Sequence, residues 1–260
     1  MPTKKRQDRI SKIMEALSIS NGSTIRELAE SMNVSEMTIR RDLELLSDGS
    51  RVKLVHAGVV PSTTAGQSPH GFLSLLDPSA AAAAEKQRIG EKAASLIEAG
   101  DVVILDSGST TEWLARSIPR DLPVTILCYA LNILMEASRG SARTVVFAGG
   151  SLRPDTLVFE SPEGVSLIAR YRATKAFLSG EGVSETLGVT CADPAEAELK
   201  KTALSSSQTR ILLADSRKFG TVRPSWYANL EDFDAIITDS GISLDYVEIL
   251  RKLGIALHVV

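Results

Sequence analysis

The chain has 260 residues, of which 43% are hydrophobic and 23% are charged, so it carries enough apolar side chains to build a core. This composition excludes collagen, extended coiled coils and disordered protein, and the length predicts one large domain or a small domain joined to a larger one. The chain has 29 basic and 32 acidic residues, which gives a net charge of −3. The molecule as a whole therefore has no positive field that attracts nucleic acid, and any contact with nucleic acid must be local.

The residues up to number 60 predict three short helices and a hairpin. Apolar residues at helical spacing mark a first helix over residues 5–17, and Thr24 with Glu27 forms the capping box of a second helix. Ser35 is a favourable N-cap for a third helix. Valines then flank a turn-like segment at residues 56–58. Three helices followed by a hairpin predict a winged helix-turn-helix domain.

The third of these helices is the predicted reading helix, the one that enters the DNA major groove. Turning Ile39, Leu43 and Leu46 inward directs Met37 and Arg41 outward, at about 100° per residue. An arginine fork suits the O6 and N7 acceptors of guanine, and basic residues of the hairpin are placed to reach the DNA backbone. The predicted DNA contacts are Ser35, Met37, Thr38, Arg40, Arg41, Arg51, Lys53 and His56.

A helical head that serves only for dimerisation or protein docking is the alternative. Residues 1–60 hold ten basic and eight acidic side chains, a net charge of +2, which separates the two interpretations only weakly. The basic residues lie on the first helix, the reading helix and the hairpin, and this placement favours DNA binding.

Residues 61–84 differ in composition from both flanking parts. They begin with P-S-T-T-A-G-Q-S-P-H-G, which is typical of loops, and end with the alanines of residues 80–84. Because alanine is the best helix former, this boundary is expected to run into one long helix. We predict a first domain at residues 1–60, a linker at residues 61–84 and a second domain at residues 85–260.

From residue 100 onward, short apolar runs alternate with helical patterns. Such alternation predicts an α/β domain with a mainly parallel sheet. The runs are apolar throughout rather than alternating, as expected for strands that helices cover on both faces. The predicted strands are residues 102–105, 124–128, 144–148, 176–178, 211–214, 235–238 and 256–260.

The segment G-D-V-V-I-L-D-S-G-S-T-T predicts a strand, a small polar loop and the start of a helix. Glycine lets a ligand approach the backbone closely, and the unpaired N–H groups at the start of a helix favour an anion. The hydroxyl groups of Ser109, Thr110 and Thr111 add donors, so a phosphate fits. Asp106 at the strand end is placed to accept hydrogen bonds from sugar hydroxyls. The simpler interpretation is a capped helix without a ligand.

Similar polar residues follow several other predicted strands. Because the carboxyl ends of parallel strands meet at one edge of a sheet, we expect these residues to form a pocket. Each of them also has a simpler explanation as a turn glycine, a helix cap or a solvated charge. The predicted pocket residues are Asp106, Ser107, Gly108, Ser109, Thr110, Thr111, Tyr129, Asn132, Gly149, Gly150, Arg153, Gly180, Glu181, Lys200, Asp215 and Lys218.

Cysteines and histidines are few and scattered. Cys128 and Cys191 are too few for a disulfide framework, and His56, His70 and His258 have no carboxylate or cysteine at ligand spacing. No apolar run is long enough to span a bilayer, and no apolar stretch follows the basic start of the chain. We therefore expect no metal, no cofactor, no membrane contact and a cytoplasmic location.

Four motifs together carry a family resemblance. V-S-E-M-T-I-R-R-D-L, L-D-S-G-S-T-T, A-G-G-S-L-R-P and D-S-R-K-F-G, in this order along nearly the whole chain, resemble the DeoR/GlpR family of bacterial transcriptional repressors. C-Y-A-L-N, G-V-T-C and K-F-G-T-V-R-P resemble the deoxyribose-responsive branch of that family.

The resemblance implies a winged-helix head on a sensor domain related in fold to ribose-5-phosphate isomerase. It also implies that this domain binds a phosphorylated sugar or sugar catabolite, and that the protein forms a homodimer or homotetramer on paired double-stranded DNA operator sites. By position, residues 109–111 would hold the phosphate. The residues that would bound the sugar are Asp106, Asn132, Arg153, Lys200, Asp215 and Lys218.

The function that follows is a DNA-binding repressor of a carbohydrate catabolic operon, controlled by a phosphorylated sugar, in the first place a pentose phosphate. This interpretation makes the protein a regulator and not an enzyme. The alternative is a sugar-phosphate isomerase-like enzyme with an accessory helical head, because acids and lysines line the predicted pocket. Against it, no pair of side chains can be assigned acid and base roles from the sequence alone.

Overall fold

The structure is a computed structural model in which the chain divides into two compact units, Met1–Gly71 and Phe72–Val260. It describes residues 9–10, 12–13, 25–48, 52–55, 58–61 and 80–260. Within these ranges, the side chains of residues 27, 44–48, 52–55, 58–61 and 80–82 lie outside the description. The predicted domain limits stay a prediction. A helix begins at Ala80, inside the predicted linker, as the alanine run indicates.

Two helices and a hairpin make up most of the described N-terminal unit. Helix α1 covers Ile25–Ser31, helix α2 covers Glu36–Asp48, and strands β1 (Val52–Val55) and β2 (Gly58–Pro61) pair antiparallel. Ser35 caps α2, because the backbone N–H of Thr38 donates to its Oγ at 3.3 Å. The predicted second helix, reading helix and hairpin are therefore confirmed.

The core of this unit is small. Leu28, Ile39 and Leu43 are fully buried and pack together with Ile13, which confirms the inward face predicted from Ile39 and Leu43. The side chain of Leu46 and the predicted capping residue Thr24 lie outside the described residues. Of the predicted first helix, residues 9–10 and 12–13 are described, and they are helical.

Strands and helices alternate through the C-terminal unit. Its main strands are β3 (Val102–Leu105), β4 (Thr125–Cys128), β5 (Thr144–Phe147), β8 (Ala173–Ser179), β11 (Ser207–Leu213), β13 (Ala235–Thr238) and β14 (Ala256–Val259). Its helices are α3 (Ala80–Ala94), α4 (Ser109–Ser117), α5 (Leu131–Ala137), α6 (Pro162–Arg170), α7 (Pro194–Ser205) and α8 (Leu244–Lys252). These main strands are the ones predicted from the apolar runs.

The main strands form one parallel sheet in the order β14-β13-β11-β8-β3-β4-β5. From β3 the chain adds β4 and β5 on one side, and later β8, β11, β13 and β14 on the other. The order of the strands therefore reverses between β3 and β8. In open parallel sheets a crevice for ligands lies beyond the carboxyl ends of the strands at such a point.

Five short strands were not predicted. Strands β6 (Ser151–Leu152) and β7 (Phe159–Glu160) pair antiparallel. Strands β9 (Gly182–Ser184), β10 (Gly188–Cys191) and β12 (Ser225–Ala228) form a separate antiparallel sheet. These segments lack continuous apolar runs, so pairing with distant partners rather than local pattern makes them strands. In the described part of the chain, no helix is both long and apolar enough to cross a bilayer.

Gly90 allows α3 to pack directly on α4. A Cβ atom at this position would lie 2.6 Å from the backbone nitrogen of Leu114 and 2.6 Å from the Cβ of Trp113. Gly90→Ala is therefore expected to push the two helices apart and to lower the free energy of unfolding by about 1–3 kcal/mol in urea denaturation. The exposed Arg88 of the same helix provides the control Arg88→Ala, for which we expect a change within about 0.5 kcal/mol. Equal effects of the two substitutions would contradict this role of Gly90.

Candidate functional site

The loop that leaves β3 ends in an open helix N-terminus. Gly108 is the N-cap of α4 and has φ of +102°, a left-handed conformation that favours glycine. No described side chain caps this helix. Its first backbone hydrogen bond runs from the N–H of Glu112 to the carbonyl of Gly108. The preceding N–H groups have no partner within the helix and point out of its positive end. This arrangement can hold an anion.

Asp106, the first residue after β3, is fully buried and lies at the point where the strand order reverses. Its Oδ2 accepts hydrogen bonds from the backbone N–H of Ser179 at 2.7 Å, from the Ser179 hydroxyl at 2.8 Å and from the ammonium of Lys200. Its Oδ1 accepts the hydroxyl of Tyr129. Asp106 therefore ties together the ends of β3, β4 and β8, and its oxygens are occupied by protein donors.

Lys200 on α7 supplies the charge that balances Asp106. Burial alone would raise the pKa of Asp106, but the Lys200 ammonium and the surrounding hydrogen bonds reverse this and hold the pKa of that carboxyl below its ordinary value. Burial would in turn lower the pKa of Lys200, but the nearby carboxylates of Asp106 and Glu196 raise it above its ordinary value. Both groups are therefore charged at neutral pH and form an enclosed ion pair.

Glu196 joins this group one helical turn before Lys200. Its Oε1 accepts the hydroxyl of Ser107 at 2.5 Å and lies 3.6 Å from the Nζ of Lys200. Burial, together with the negative charge of Asp106, raises the pKa of this carboxyl above its ordinary value. Glu196 links α7 to the loop that opens α4.

The predicted residues around the start of α4 differ in exposure and in hydrogen bonding. Ser109 is half-buried and Thr110 retains 8% exposure, whereas Thr111 is fully enclosed and its hydroxyl has no partner among the described residues. The side-chain amide of Asn132 donates to Glu112 Oε2 at 3.3 Å and approaches the carbonyl of Gly108 at 3.5 Å. The side chains of Ser109 and Thr110 are therefore more accessible than that of Thr111.

Arg153, Glu181 and Asp215, three further predicted pocket residues, have partners outside the Asp106 group. Arg153 is 43% exposed and pairs with Asp193 at 3.2 Å. Glu181 accepts the backbone N–H of Ala192 at 3.1 Å, and Asp215 accepts the guanidinium of Arg217 at 2.9 Å. These residues lie around the carboxyl edge of the sheet or its adjoining loops, as do Gly149, Gly150, Gly180 and Lys218.

Three members of the buried group were not predicted: Ser179, Glu196 and Tyr227. Ser179 ends β8, and the hydroxyl of Tyr227 donates to its carbonyl at 2.7 Å while the Tyr227 ring lies 5.5 Å from the Lys200 Nζ. The spacing of Glu196 and Lys200, four residues apart on one helix, places both on one face and is the signal that the sequence offers for Glu196. Among the described residues, no group of three or more His, Cys, Asp or Glu side chains is placed to hold a metal ion.

The reading helix presents its predicted contact residues to solvent. Met37, Arg40 and Arg41 are exposed, and the hydroxyls of Ser35 and Thr38 lie 2.9 Å apart at the N-cap. Arg51 and His56 lie outside the described residues, and Lys53 lies in β1 with its side chain outside the description.

Asp42 on the same helix is a buried acid that was not predicted to have a role. Its Oδ2 forms an ion pair with the Nε of Arg9 at 2.6 Å, and the aspartate side chain is 1% exposed. This pair connects the residues before α1 to the inward side of the reading helix. Arg9 is thus engaged inside the unit, although it adds to the positive charge predicted for DNA contact.

Two family models cover most of the chain. Residues 9–64 match the DeoR-like helix-turn-helix domain, and residues 81–240 match the DeoR C terminal sensor domain. The chain belongs to the DeoR/GlpR family of transcriptional repressors. This confirms the resemblance carried by the sequence motifs, and it identifies the N-terminal unit as a helix-turn-helix DNA-binding domain and the C-terminal unit as a sensor domain.

Relatives of this DeoR-family repressor match along nearly its whole length. It is 29% identical over 253 residues to the deoxyribose operon repressor of Escherichia coli (strain K12), covering 97% of this chain and 98% of that protein. It is 30% identical over 244 residues to the uncharacterized HTH-type transcriptional regulator YulB of Bacillus subtilis (strain 168), covering 94% and 93%. These relatives are regulators of transcription rather than enzymes.

Among solved structures, ribose 5-phosphate isomerase A from Methanocaldococcus jannaschii matches with a TM-score of 0.39 and 18% identity, covering 52% of this chain and 53% of that one.

Proposed function

We propose that this protein represses a carbohydrate catabolic operon and that a phosphorylated sugar, a pentose phosphate in the first place, controls its binding to DNA. The effector binds at the carboxyl edge of the parallel sheet, where the strand order reverses. The observation that carries the proposal is the uncapped N-terminus of α4 beside the buried group around Asp106. The helix N-terminus is a site for an anion, and Asn132 beside it is a polar side chain for a sugar.

The phosphate is held by the N–H groups that begin α4 and by the hydroxyls of Ser109 and Thr110. The positive end of the helix dipole favours the phosphate charge. The side chains of Arg153 and Lys218 at the edge of the sheet add positive charge. Asn132 lies beside the same turn and orients the ligand.

DNA is read by the exposed face of α2, with Met37 and Arg41 toward the bases and Arg40 toward a phosphate. A homodimer or homotetramer places two reading helices on half-sites about one helical turn apart, or a multiple of that spacing. The effector changes operator affinity only by binding the DNA-competent and DNA-free states of the protein with different affinities. In this proposal the coupling passes through the predicted linker at residues 61–84, of which residues 62–79 lie outside the described residues.

A thermal-shift screen combined with operator binding tests this function. The full-length protein is heated with ribose 5-phosphate, 2-deoxyribose 5-phosphate, fructose 6-phosphate or inorganic phosphate, because a ligand of the native state raises the melting temperature. Compounds that raise it are then added to the protein bound to its operator. We expect a sugar phosphate to stabilise the protein and to change operator affinity. Indifference of both readouts to every sugar phosphate would contradict the proposal.

The same samples separate the repressor from the isomerase-like alternative. Conversion of ribose 5-phosphate is followed over time with the purified protein. The proposal expects no turnover, because the oxygens of Asp106 are already occupied by protein donors. Turnover that disappears in Asp106→Ala would favour the enzyme.

Thr110→Ala is expected to weaken effector binding while leaving operator affinity unchanged. A hydrogen bond to a charged group contributes about 1.5–3 kcal/mol, so the effector's Kd should rise roughly tenfold or more in titration calorimetry. Thr144→Ala serves as the control, because Thr144 is exposed at the first position of β5, at the opposite edge of the sheet. Unchanged sugar-phosphate affinity in Thr110→Ala would make the phosphate assignment wrong.

A further inference from the structure

The two carboxylates near Lys200 differ in how completely the protein satisfies them. The Nζ of Lys200 contacts Asp106 Oδ2, the Ser179 hydroxyl at 3.0 Å and the Ser179 carbonyl at 3.2 Å. An ammonium group has three protons, so these contacts use its full capacity. The carboxyl of Glu196, 3.6 Å from Nζ, receives the charge of the lysine but no hydrogen bond from it.

Asp106, in contrast, offers a ligand no free oxygen. It is fully buried, and both of its oxygens accept protein donors. A sugar hydroxyl would have to displace the Lys200 ammonium or the Tyr129 hydroxyl, and either change leaves a buried polar group without a partner. The ion pair of Asp106 and Lys200 therefore supports the crevice from within.

Glu196 has a free oxygen where Asp106 has none. Its Oε1 is occupied by the Ser107 hydroxyl, while Oε2 has no hydrogen-bond partner among the described residues. The side chain retains 9% exposure, and Oε2 is not among the fully enclosed atoms that lack a partner, so solvent reaches it. Through Ser107 this carboxyl is also held next to Gly108, the N-cap of the open helix.

We infer that Glu196 accepts a hydrogen bond from a hydroxyl group of the bound sugar phosphate and thereby selects phosphate esters of polyols over inorganic phosphate. The inference rests on the proposed function, since it concerns the same crevice. A carboxylate accepts hydrogen bonds from sugar hydroxyls, whereas it repels a second anionic oxygen. The N–H groups of α4 thus attract any phosphate, and Glu196 distinguishes what the phosphate is attached to.

Glu196→Gln tests this selection in the full-length protein. Glutamine keeps the size of the side chain and can still accept the hydroxyl of Ser107, but it removes the negative charge and presents an amide to the crevice. Titration calorimetry compares ribose 5-phosphate, fructose 6-phosphate and inorganic phosphate. We expect the affinity for a sugar phosphate to fall about tenfold or more, while the affinity for inorganic phosphate is unchanged or rises.

The control is Glu198→Gln, two residues along the same helix, where the glutamate is exposed and borders a different groove between α6 and α7. It should leave the affinities for all three compounds unchanged. An unchanged ratio of sugar phosphate to inorganic phosphate affinity in Glu196→Gln contradicts the inference, whether both affinities fall together or neither moves. If the wild-type protein binds none of the three compounds, the proposed function fails as well. If the wild-type protein binds the compounds and Thr110→Ala weakens the binding of sugar phosphates and of inorganic phosphate alike, the proposed function stands. Glu196→Gln then tests only the role of Glu196.

Discussion

Replacement of Lys200 by methionine is expected to lower the free energy of unfolding of the sensor domain by about 3–5 kcal/mol. The lysine side chain is 2% exposed and that of Asp106 is fully enclosed, so the ion pair is isolated from solvent. Methionine has a similar length but no charge, and it leaves the Asp106 carboxylate buried without its cation. Removing one partner of a buried pair costs more than the pair contributes, because the remaining charge loses both its water and its counter-ion.

Urea unfolding followed by tryptophan fluorescence measures this loss, because Trp113 and Trp226, the two tryptophans of the chain, both lie in the sensor domain. Lys201→Met is the matched control: Lys201 is half-buried and its Nζ lies 5.0 Å from the Trp226 ring. We expect that control to cost under about 1 kcal/mol. The double variant with Asp106→Asn should recover part of the loss, since it removes the unpaired charge.

The same pair predicts how stability depends on pH. The pKa of Asp106 is lower in the folded protein than in the unfolded chain, so its contribution is fully present above the ordinary aspartate value of about 3.9. It is lost as the pH falls through the lower pKa of the folded state. Lys200→Met should lack this acid-dependent loss. A Lys200→Met variant as stable as the Lys201→Met control would show that Asp106 does not depend on the lysine.

Arg41→Ala is expected to weaken operator binding by about 1–3 kcal/mol, which is roughly 5- to 150-fold in Kd. Arg41 lies on the exposed face of the reading helix, opposite the fully buried Ile39 and Leu43. A bidentate contact from an arginine to guanine carries both affinity and discrimination between bases. The substitution should therefore relax specificity at one position of each half-site.

Fluorescence anisotropy with the operator and with random duplex DNA, at the same salt concentration, measures both effects. Arg251→Ala is the control, because Arg251 is an exposed arginine of the sensor domain. A loss on random DNA equal to the loss on the operator would make Arg41 a phosphate contact instead. An unchanged operator affinity would remove Arg41 from the DNA interface.

Local patterns were sufficient to predict most of the fold. The apolar runs identified the strands of the parallel sheet, and Ser35 identified the start of the reading helix. The strands and the helix start both depend on residues close together in the chain. A strand is marked by a run of valine and isoleucine, and the helix start by a serine whose hydroxyl accepts the N–H three residues later. The short strands of the antiparallel sheet depend on pairing over long distances and were missed.

The site residues were predicted less completely than the fold. Asp106 and Lys200 were both predicted to bound the sugar, but that they form an ion pair with each other was not predicted. Glu196 and Ser179 were not predicted at all. Glutamate on a helix and serine at a strand end are common on protein surfaces, so the four-residue spacing of Glu196 from Lys200 was the one local signal for Glu196, and the local sequence offered none for Ser179.

The sequence by itself determined the order of strands and helices, the open turn before α4 and the membership of the DeoR family, because hydrophobic period, turn chemistry and motifs are properties of neighbouring residues. Only the tertiary structure decided which polar groups satisfy one another. Asp106 meets Ser179 across 73 residues and Lys200 across 94. Such contacts arise from the strand order of the folded sheet, and burial then makes each partner necessary, since a charge removed from water needs a donor or counter-ion that only the folded chain brings to it.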